Sequence, residues 1–542
     1  MKKNDLIEIN IIDTTLNGDG VGKTDGFTVF VNAAVIGDKV LAHILKVKQN
    51  YAFAKIEQII EPSEYRIEQN CKSFPQCGGC SFRHIDYIKE LEIKENNVKN
   101  NLKRIGTVEP EFEKVIGLTE CHYRNKAQYP VSMKKGKLNI GFFAGNSHRV
   151  VNCENCLLQP PEFSKAIQVF KDYILENSIS VYDETEHYGL IRHIYFRKAV
   201  VTKEIMVCVV INGTDLPYRN VFIEKMKSVF GYNLKSVVLN INTKRTNVIM
   251  GERCTVIYGE NYINDVLCDV KIRISPLSFY QVNHDVAEKL YEKVAEYAEP
   301  DNKTVLDLYC GAGTIGLSMA KRAKKLIGVE IIPEAIEDAK HNADLNSFNN
   351  TEFLCSDAVK ASVCFAEKGI KPDVIIVDPP RKGCDAELIK TITNDFSPER
   401  VVYVSCDPST LARDCKIFKG LGYETVKAAT FDMFPRTGHV ETVVQLVRKN
   451  PDTYIDITVD MDELDLTSSE AKATYDEIKD YIFDKHSVKV SSLYIAQVKQ
   501  KHGIIERDCY NNPKNENPKQ PQCPPEKVKL IEEALRYFKM IP

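Results

Sequence analysis

Residues 401–404 read as a buried strand of a parallel sheet, and the strand breaks into Ser405-Cys406-Asp407-Pro408. In open α/β sheets ligands lie outside the carboxyl ends of the strands. A thiol there faces a ligand crevice and can act as a nucleophile. A cysteine at a strand end is more often a core residue than a catalyst. The rest of the chain has to decide.

Three further groups bear on that decision. Val305-Leu-Asp-Leu-Tyr-Cys-Gly-Ala-Gly-Thr-Ile-Gly316 reads as strand, turn and helix, with Gly311, Gly313 and Gly316 spaced G-x-G-x-x-G. Glu330 ends the next strand, where its carboxylate would bond a nucleotide's ribose hydroxyls. Alone, this leaves a dinucleotide and S-adenosylmethionine (SAM) both open. Residues 374–377 form another strand, ending in Asp378-Pro379-Pro380-Arg381, a carboxylate beside two rigid prolines. The third group is sulfur: Cys71-x5-Cys77-x2-Cys80, with Cys153-x2-Cys156 much later. Gly78 and Gly79 let the backbone wrap closely around a metal centre. Four thiolates suit a tetrahedral zinc or an iron–sulfur cluster. Two zinc knuckles would leave Cys71 spare, and three close thiols with one distant thiol suit a cubane better.

Several bodies are needed to position these residues. A chain of 542 residues should form roughly three or four domains. Residues 265–450 alternate strand and helix patterns, as a parallel sheet with flanking helices does. Short apolar runs at 7–12, 27–31, 39–46 and 51–60, with turns at 17–20 and 36–38, fit a small OB-like barrel. Residues 87–104 read as a charged helix. A β-rich segment then reaches to about residue 260, with strands at 140–143, 205–211 and 236–242. Within it Arg124, Lys126, Arg192, His193 and Arg197 are candidate phosphate contacts, a solvated charged face being the plain alternative. After residue 448 an acidic linker (452–465) leads to predicted helices at 469–485, within 488–501 and at 525–538, with a Pro/Asn/Lys-rich loop at 511–525. These helices fit a helix-turn-helix RNA contact or a small bundle with a solvated basic face.

Composition limits the partners. The chain is 43% hydrophobic and 27% charged with net charge −3, which is no nucleic-acid signature, so any RNA contact must come from local patches. No run approaches about 18 apolar residues and the N-terminus lacks an apolar segment, so a cytoplasmic protein without a membrane partner is expected. Seventeen cysteines in that setting point to reduced thiols, metal ligation or catalysis rather than disulfides.

The order of the motifs resembles one family. Gly18-Asp19-Gly20-Val21-Gly22, Val29-Phe30-Val31 and Gly37-Asp38-Lys39-Val40 are similar to the TRAM domain, an RNA-binding barrel of RNA-modifying enzymes. Phe279-Tyr280-Gln281-Val282-Asn283 resembles the F-x-Q-x-N element of uracil-5 methyltransferases. The Gly-rich loop, Asp378-Pro-Pro-Arg381, the Cys406 loop and Gly438-His439-Val440-Glu441 follow in that family's order. Over about residues 1–448 the chain looks like a 23S rRNA (uracil-5-)-methyltransferase of the TRAM and iron–sulfur subtype.

The resemblance implies an α/β, Rossmann-like class I methyltransferase domain (263–449) after a TRAM-like barrel (1–62) and a β-rich RNA-binding domain with the cysteine cluster (63–262). The linker and helical extension (450–542) complete the chain. It implies Cys406 as nucleophile and Glu441 as proton acceptor. SAM would be held by Gln281, Asp307, Tyr309, Gly311, Gly313, Thr314, Glu330, Asp357 and Asp378. The ligands of a [4Fe–4S] cluster would be Cys71, Cys77, Cys80 and Cys156, the last because it precedes Leu-Leu-Gln-Pro. Asp407 stands where the family usually has Asn, and Thr314 where Asn is frequent. The implied partner is 23S rRNA, with transfer RNA as the alternative, no DNA, and a monomeric enzyme. An NAD(P)-dependent oxidoreductase leaves Asp378-Pro-Pro, Cys406 and Glu441 unexplained. A non-catalytic RNA-binding factor is at odds with a full set of catalytic positions.

Overall fold

The computed structural model describes residues 1–449 apart from 25 and 146, and residues 475–486, 488–502, 523–538, 540 and 541. The expected linker 452–465, the start of the helix expected from 469 and residues 511–522 of the expected loop lie outside the described residues. Two compact units form, Met1–Asn450 and Pro451–Pro542.

The first unit opens with a closed five-stranded barrel of Leu6–Thr14, Gly20–Thr24, Phe27–Asn32, Lys39–Val47 and Tyr51–Glu61. Side chains alternate across each strand, so Val29, Val31, Ala52 and Ala54 fill the barrel core. The turn read at 17–20 runs straight into Gly20–Thr24, a strand the apolar pattern does not announce. Gly438, beside the strand Glu441–Arg448, lies so close to the barrel that a Cβ there would sit 1.8 Å from the Leu16 carbonyl oxygen.

Helix Tyr87–Asn101 follows, capped by Asp86, whose carboxylate accepts from the Ile88 and Lys89 N–H groups. A seven-stranded sheet comes next, with Ile191–Lys198 and Ile205–Ile211 at its middle. Helices Pro161–Glu176 and Arg219–Phe230 bury Phe163, Phe170, Phe222 and Met226 against it.

The third body is an eight-stranded sheet in the order Thr351–Cys355, Lys325–Glu330, Thr304–Leu308, Val374–Val377, Arg400–Ser405, Glu441–Arg448, Tyr423–Phe431, Glu111–Phe112. The first five are parallel, and Glu441–Arg448 runs antiparallel beside Arg400–Ser405. Near-continuous Val/Ile/Leu runs in the middle strands reflect burial on both faces. Glu111–Phe112 reaches this sheet from far upstream. One core runs from Tyr195, Met206 and Val238 of the seven-stranded sheet, through helix His284–Ala298, to Val305, Ile376 and Val402.

The second unit packs helices Tyr475–His486, Ser492–Lys501 and Pro525–Tyr537 around Ile478, Ile482, Ile495, Ile531 and Leu535. The lysines of its middle helix differ in setting. Lys499 is buried with its ammonium 4.5 Å from the Tyr475 ring centre, and Lys501 lies 3.7 Å from Glu532. No helix among the described residues is long and apolar enough to cross a membrane.

Candidate active site

The strand Arg400–Ser405 is buried throughout, and Asp407 already caps the helix Pro408–Gly420. Cys406 is the single residue between them. Asp407 accepts from the Ser409 N–H at 2.9 Å and the Thr410 N–H at 3.1 Å. An N-cap needs one side-chain acceptor oxygen, which Asp supplies as well as Asn. The exchange at this position therefore keeps the loop bonded.

Strand register brings the other reactive groups to this point. Ser405 pairs with Thr442 in the antiparallel ladder, so Cys406 and Glu441 lie one residue beyond that pair on adjacent strands. Val377 pairs with Tyr403 in the parallel ladder, which sets Asp378 at the next strand end. Cys406, Glu441, Asp378 and Arg381 line one cavity of about 1530 Å³, together with Gln281, Tyr309, Gly311, Glu330 and Asp357.

Asp307, Gly313 and Thr314 are not on the cavity wall. Asp307 is 1% exposed and accepts from the Gly316 N–H at 3.0 Å, bracing the loop from behind. Gly316 leaves little room for a side chain, since a Cβ would lie 2.8 Å from that carboxylate and 2.9 Å from Leu326. Thr314 turns its hydroxyl to Tyr291 at 2.9 Å. Glu330 accepts from the N–H groups of Gly311, Ile331 and Ile332. Asp357 caps helix Ala358–Glu367 through the Val359 and Lys360 N–H groups.

Low dielectric governs the charges. Burial, then Glu441 and Asp378, pushes the Cys406 thiol up to about 11, and Arg381 pulls the other way. Burial raises Glu441 well above the carboxylate range, with Asp378 adding to it and Arg381 opposing. Burial also lifts Asp378 to about 7. Asp307 is lifted to about 8 by burial against the Gly316 hydrogen bond, with Asp378 and Glu330 adding to the rise.

The parts that hold this wall lie outside the predicted site residues. Asp414 is fully buried and accepts from the Cys384 N–H, the Tyr403 hydroxyl and the Arg413 Nε. Arg413 donates to the Lys382 carbonyl and Thr410 to the Arg381 carbonyl. The helix after Cys406 thus grips the loop after Asp378. Arg381 directly follows Asp378-Pro-Pro, and that adjacency was the available signal. The cavity also takes in Leu16 and Asn17 of the barrel and Gly78 and Gly79 of the thiol segment, which no local pattern announces.

Of the candidate phosphate contacts only Arg124 lines this cavity. Arg192, His193 and Arg197 are buried, which corrects both readings offered for them. Their strand lies inside the sheet with both faces covered. Arg192 therefore donates to the carbonyls of Asn242 and Lys244, and Arg197 to that of Ser278. Lys126 is partly buried, its ammonium 5.4 Å from the Tyr195 ring centre.

Cys71, Cys77, Cys80, Cys153 and Cys156 line a second cavity of about 310 Å³. Burial and the neighbouring thiols push Cys77 and Cys80 up to about 11. Among the described residues no group of three or more His, Cys, Asp or Glu side chains stands in metal-holding geometry. The donor set nevertheless fits a soft metal centre. Arg83 sets a guanidinium beside Cys80, its Nη1 donating to Asn70 at 3.0 Å, so a cation faces the thiols as an anionic centre favours.

Known families and solved structures resemble this chain over most of its length. The family tRNA (Uracil-5-)-methyltransferase matches residues 86–449, and the TRAM domain matches residues 2–56. An uncharacterized RNA methyltransferase of Halalkalibacterium halodurans is 44% identical over 457 residues, covering 83% of this chain and 98% of its own. One from Clostridium tetani is 42% identical, covering 82% of this chain and 96% of its own. Among solved structures, the Pyrococcus abyssi tRNA (uracil-54, C5)-methyltransferase in complex with S-adenosyl-L-homocysteine is 29% identical with a TM-score of 0.66. It covers 81% of this chain and 100% of its own. The chain, with its Rossmann-like sheet and N-terminal TRAM barrel, belongs to the tRNA (uracil-5-)-methyltransferase family of SAM-dependent RNA methyltransferases.

Proposed function

We propose that the protein methylates C5 of a uridine in 23S ribosomal RNA through a covalent adduct of Cys406 with uracil C6. The observation that carries this is the ladder register, which sets a thiol and a buried carboxylate side by side at one cavity wall. Gln281, Tyr309, Gly311, Glu330, Asp357 and Asp378 line the cavity and would hold SAM, with Asp307, Gly313 and Thr314 shaping the loop from behind. Bound there, SAM supplies an electrophilic methyl group.

Uracil C5 is too poor a nucleophile to take that methyl directly. The Cys406 thiolate adds to C6, forming an S–C6 bond and moving the C5–C6 electron pair into an enolate. Arg381, near enough to bias the thiol, offers that enolate a cation. C5 then takes the methyl group as the S–CH3 bond breaks, its electron pair going to the sulfur of the departing S-adenosylhomocysteine. Glu441, as carboxylate, removes the C5 proton, the double bond re-forms and the thiolate leaves. The target base must first leave its stack to reach a thiol at a sheet edge. Cys71, Cys77, Cys80 and Cys156 would hold a [4Fe–4S] cluster that ties the thiol segment to the central sheet.

The pairing of a TRAM barrel with a thiol cluster supports ribosomal RNA. A transfer-RNA uridine is the second reading, favoured by the likeness to the Pyrococcus abyssi tRNA enzyme. The test uses SAM and 5-fluorouridine transcripts of 23S rRNA and of tRNA. A denaturation-resistant protein–RNA complex is expected with 23S rRNA and is lost in Cys406→Ala. Survival of the complex in that variant removes Cys406 as nucleophile, and trapping only on tRNA transfers the assignment to the second reading.

A further inference from the structure

We propose that the outer face of the barrel around Phe30, Tyr51 and Phe53 stacks unpaired bases of the RNA substrate. The inference rests on the RNA-modifying reading above and names a contact surface for it. The three rings form one group, with centroids 6.0 Å (Phe30–Tyr51), 5.7 Å (Phe30–Phe53) and 5.6 Å (Tyr51–Phe53) apart. Strand alternation turns Ala52, Ala54, Val29 and Val31 inward, so these rings contribute nothing to the barrel core. Tyr51 is 38% and Phe53 40% exposed. Clustered aromatic rings on a sheet face cost solubility and mark a binding surface.

Charge indicates the partner. Lys46 is the cross-strand neighbour of Phe53, and Thr28 pairs with both Tyr51 and Lys23. The Lys48 N–H donates to the Tyr51 carbonyl at 2.8 Å, so Lys48 borders the same rings. Among the described residues Lys23, Lys46 and Lys48 carry no ion pair. By contrast Lys39 pairs with Glu8 and Glu61, Lys55 pairs with Glu57, and Asp38 is taken by Arg66. Three lysines without an ion pair thus border the barrel's exposed rings. Planar π-faces on a polyanionic backbone are the complement of that surface, and a duplex hides those faces. The same barrel lends Leu16 and Asn17 to the catalytic cavity, where a uridine must stand unpaired with its neighbours close by.

The test compares the full chain with its Tyr51→Ala/Phe53→Ala variant. The probes are a labelled oligouridylate of roughly ten nucleotides and a blunt RNA duplex of equal length. Loss of at least about tenfold in single-strand affinity is expected, with duplex affinity, melting temperature and SAM affinity unchanged. Lys46→Gln and Lys48→Gln should each lower the salt slope of single-strand binding by about 0.7. Unchanged single-strand affinity, or equal loss on the duplex, overturns the proposal and leaves the rings to a protein partner. Methylation is measured in parallel to separate the two readings. If the rings bind RNA but no RNA is methylated, the chemistry fails alone. If RNA is methylated and the variant binds it as well as the parent, the stacking face fails alone.

Discussion

At Cys406 the surroundings oppose the ionisation that attack on C6 requires, since burial, Glu441 and Asp378 push the thiol up to about 11 and only Arg381 opposes them. Glu441 is raised by the same burial, so its carboxylate form also becomes populated as pH rises. Both steps therefore gain in the same direction. The single-turnover methylation rate should climb from about pH 6 to about pH 9, and a flat profile over that range contradicts the assignment. Replacing Glu441 with Gln leaves addition and methyl transfer possible but removes the acceptor for the C5 proton. A covalent protein–RNA complex should then accumulate on denaturing gels while product formation falls at least about 100-fold. The free protein adds a stability signature. Asp307 rises from 3.8 in the unfolded chain to about 8 when buried, so the folded state holds the extra proton. The stability this confers is retained below about pH 4 and is lost as pH rises toward about 8, at up to about 1.4 kcal/mol per unit. Asp307→Asn keeps an acceptor for the Gly316 N–H, and its denaturant midpoint should depend less on pH than that of the parent.

One strand–loop–helix element does most of the positioning, from Arg400–Ser405 into Pro408–Gly420. Asp414, on the inner side of that helix, ties Tyr403 of the strand to the Cys384 N–H of the loop after Asp378. Asp414→Ala would leave the Tyr403 hydroxyl and the Cys384 N–H buried without a partner, a loss of about 3 kcal/mol. Denaturant unfolding should show that loss, with weaker SAM affinity as the 381–384 loop loosens. Asp407→Asn, in contrast, keeps the cap and should leave stability within about 0.5 kcal/mol, whereas Asp407→Ala costs about 1 kcal/mol. Much of this element was legible because an apolar run that stops at Ser-Cys-Asp-Pro can only end a strand and start a helix. The strand Gly20–Thr24 was not, because two glycines and a lysine hide its alternation. Nor was the burial of Arg192 and Arg197, which depends on carbonyls 50 and 81 residues away accepting from their guanidinium groups.

In the first unit, distant stretches are joined by charge as well as by apolar packing. Residues 87–104 read as a charged helix, and within it Lys94 is fully buried, 2.7 Å from Glu90 and 2.7 Å from Asp432. Arg436 completes the group, its N–H donating to Glu90 and its guanidinium to the Phe82 and Ile85 carbonyls. The Ser81 and Phe82 N–H groups donate back to the Arg436 carbonyl, so the thiol segment and the loop leading to Glu441 are fastened together. No local pattern foretells a partner 338 residues away. Lys94→Met would remove the ammonium that both buried carboxylates share, a loss of about 3–5 kcal/mol to be read in denaturant unfolding. The C-terminal unit differs, with a core of its own made of Ile478, Ile482, Ile495, Ile531 and Leu535. The match to the methyltransferase family also stops at residue 449. A chain ending at Asn450 should therefore keep the melting transition, the SAM affinity and the 5-fluorouridine adduct of the full protein. If the shortened chain loses its cooperative melt or binds SAM tenfold more weakly, the catalytic sheet needs residues beyond 450 and the two units are one cooperative fold.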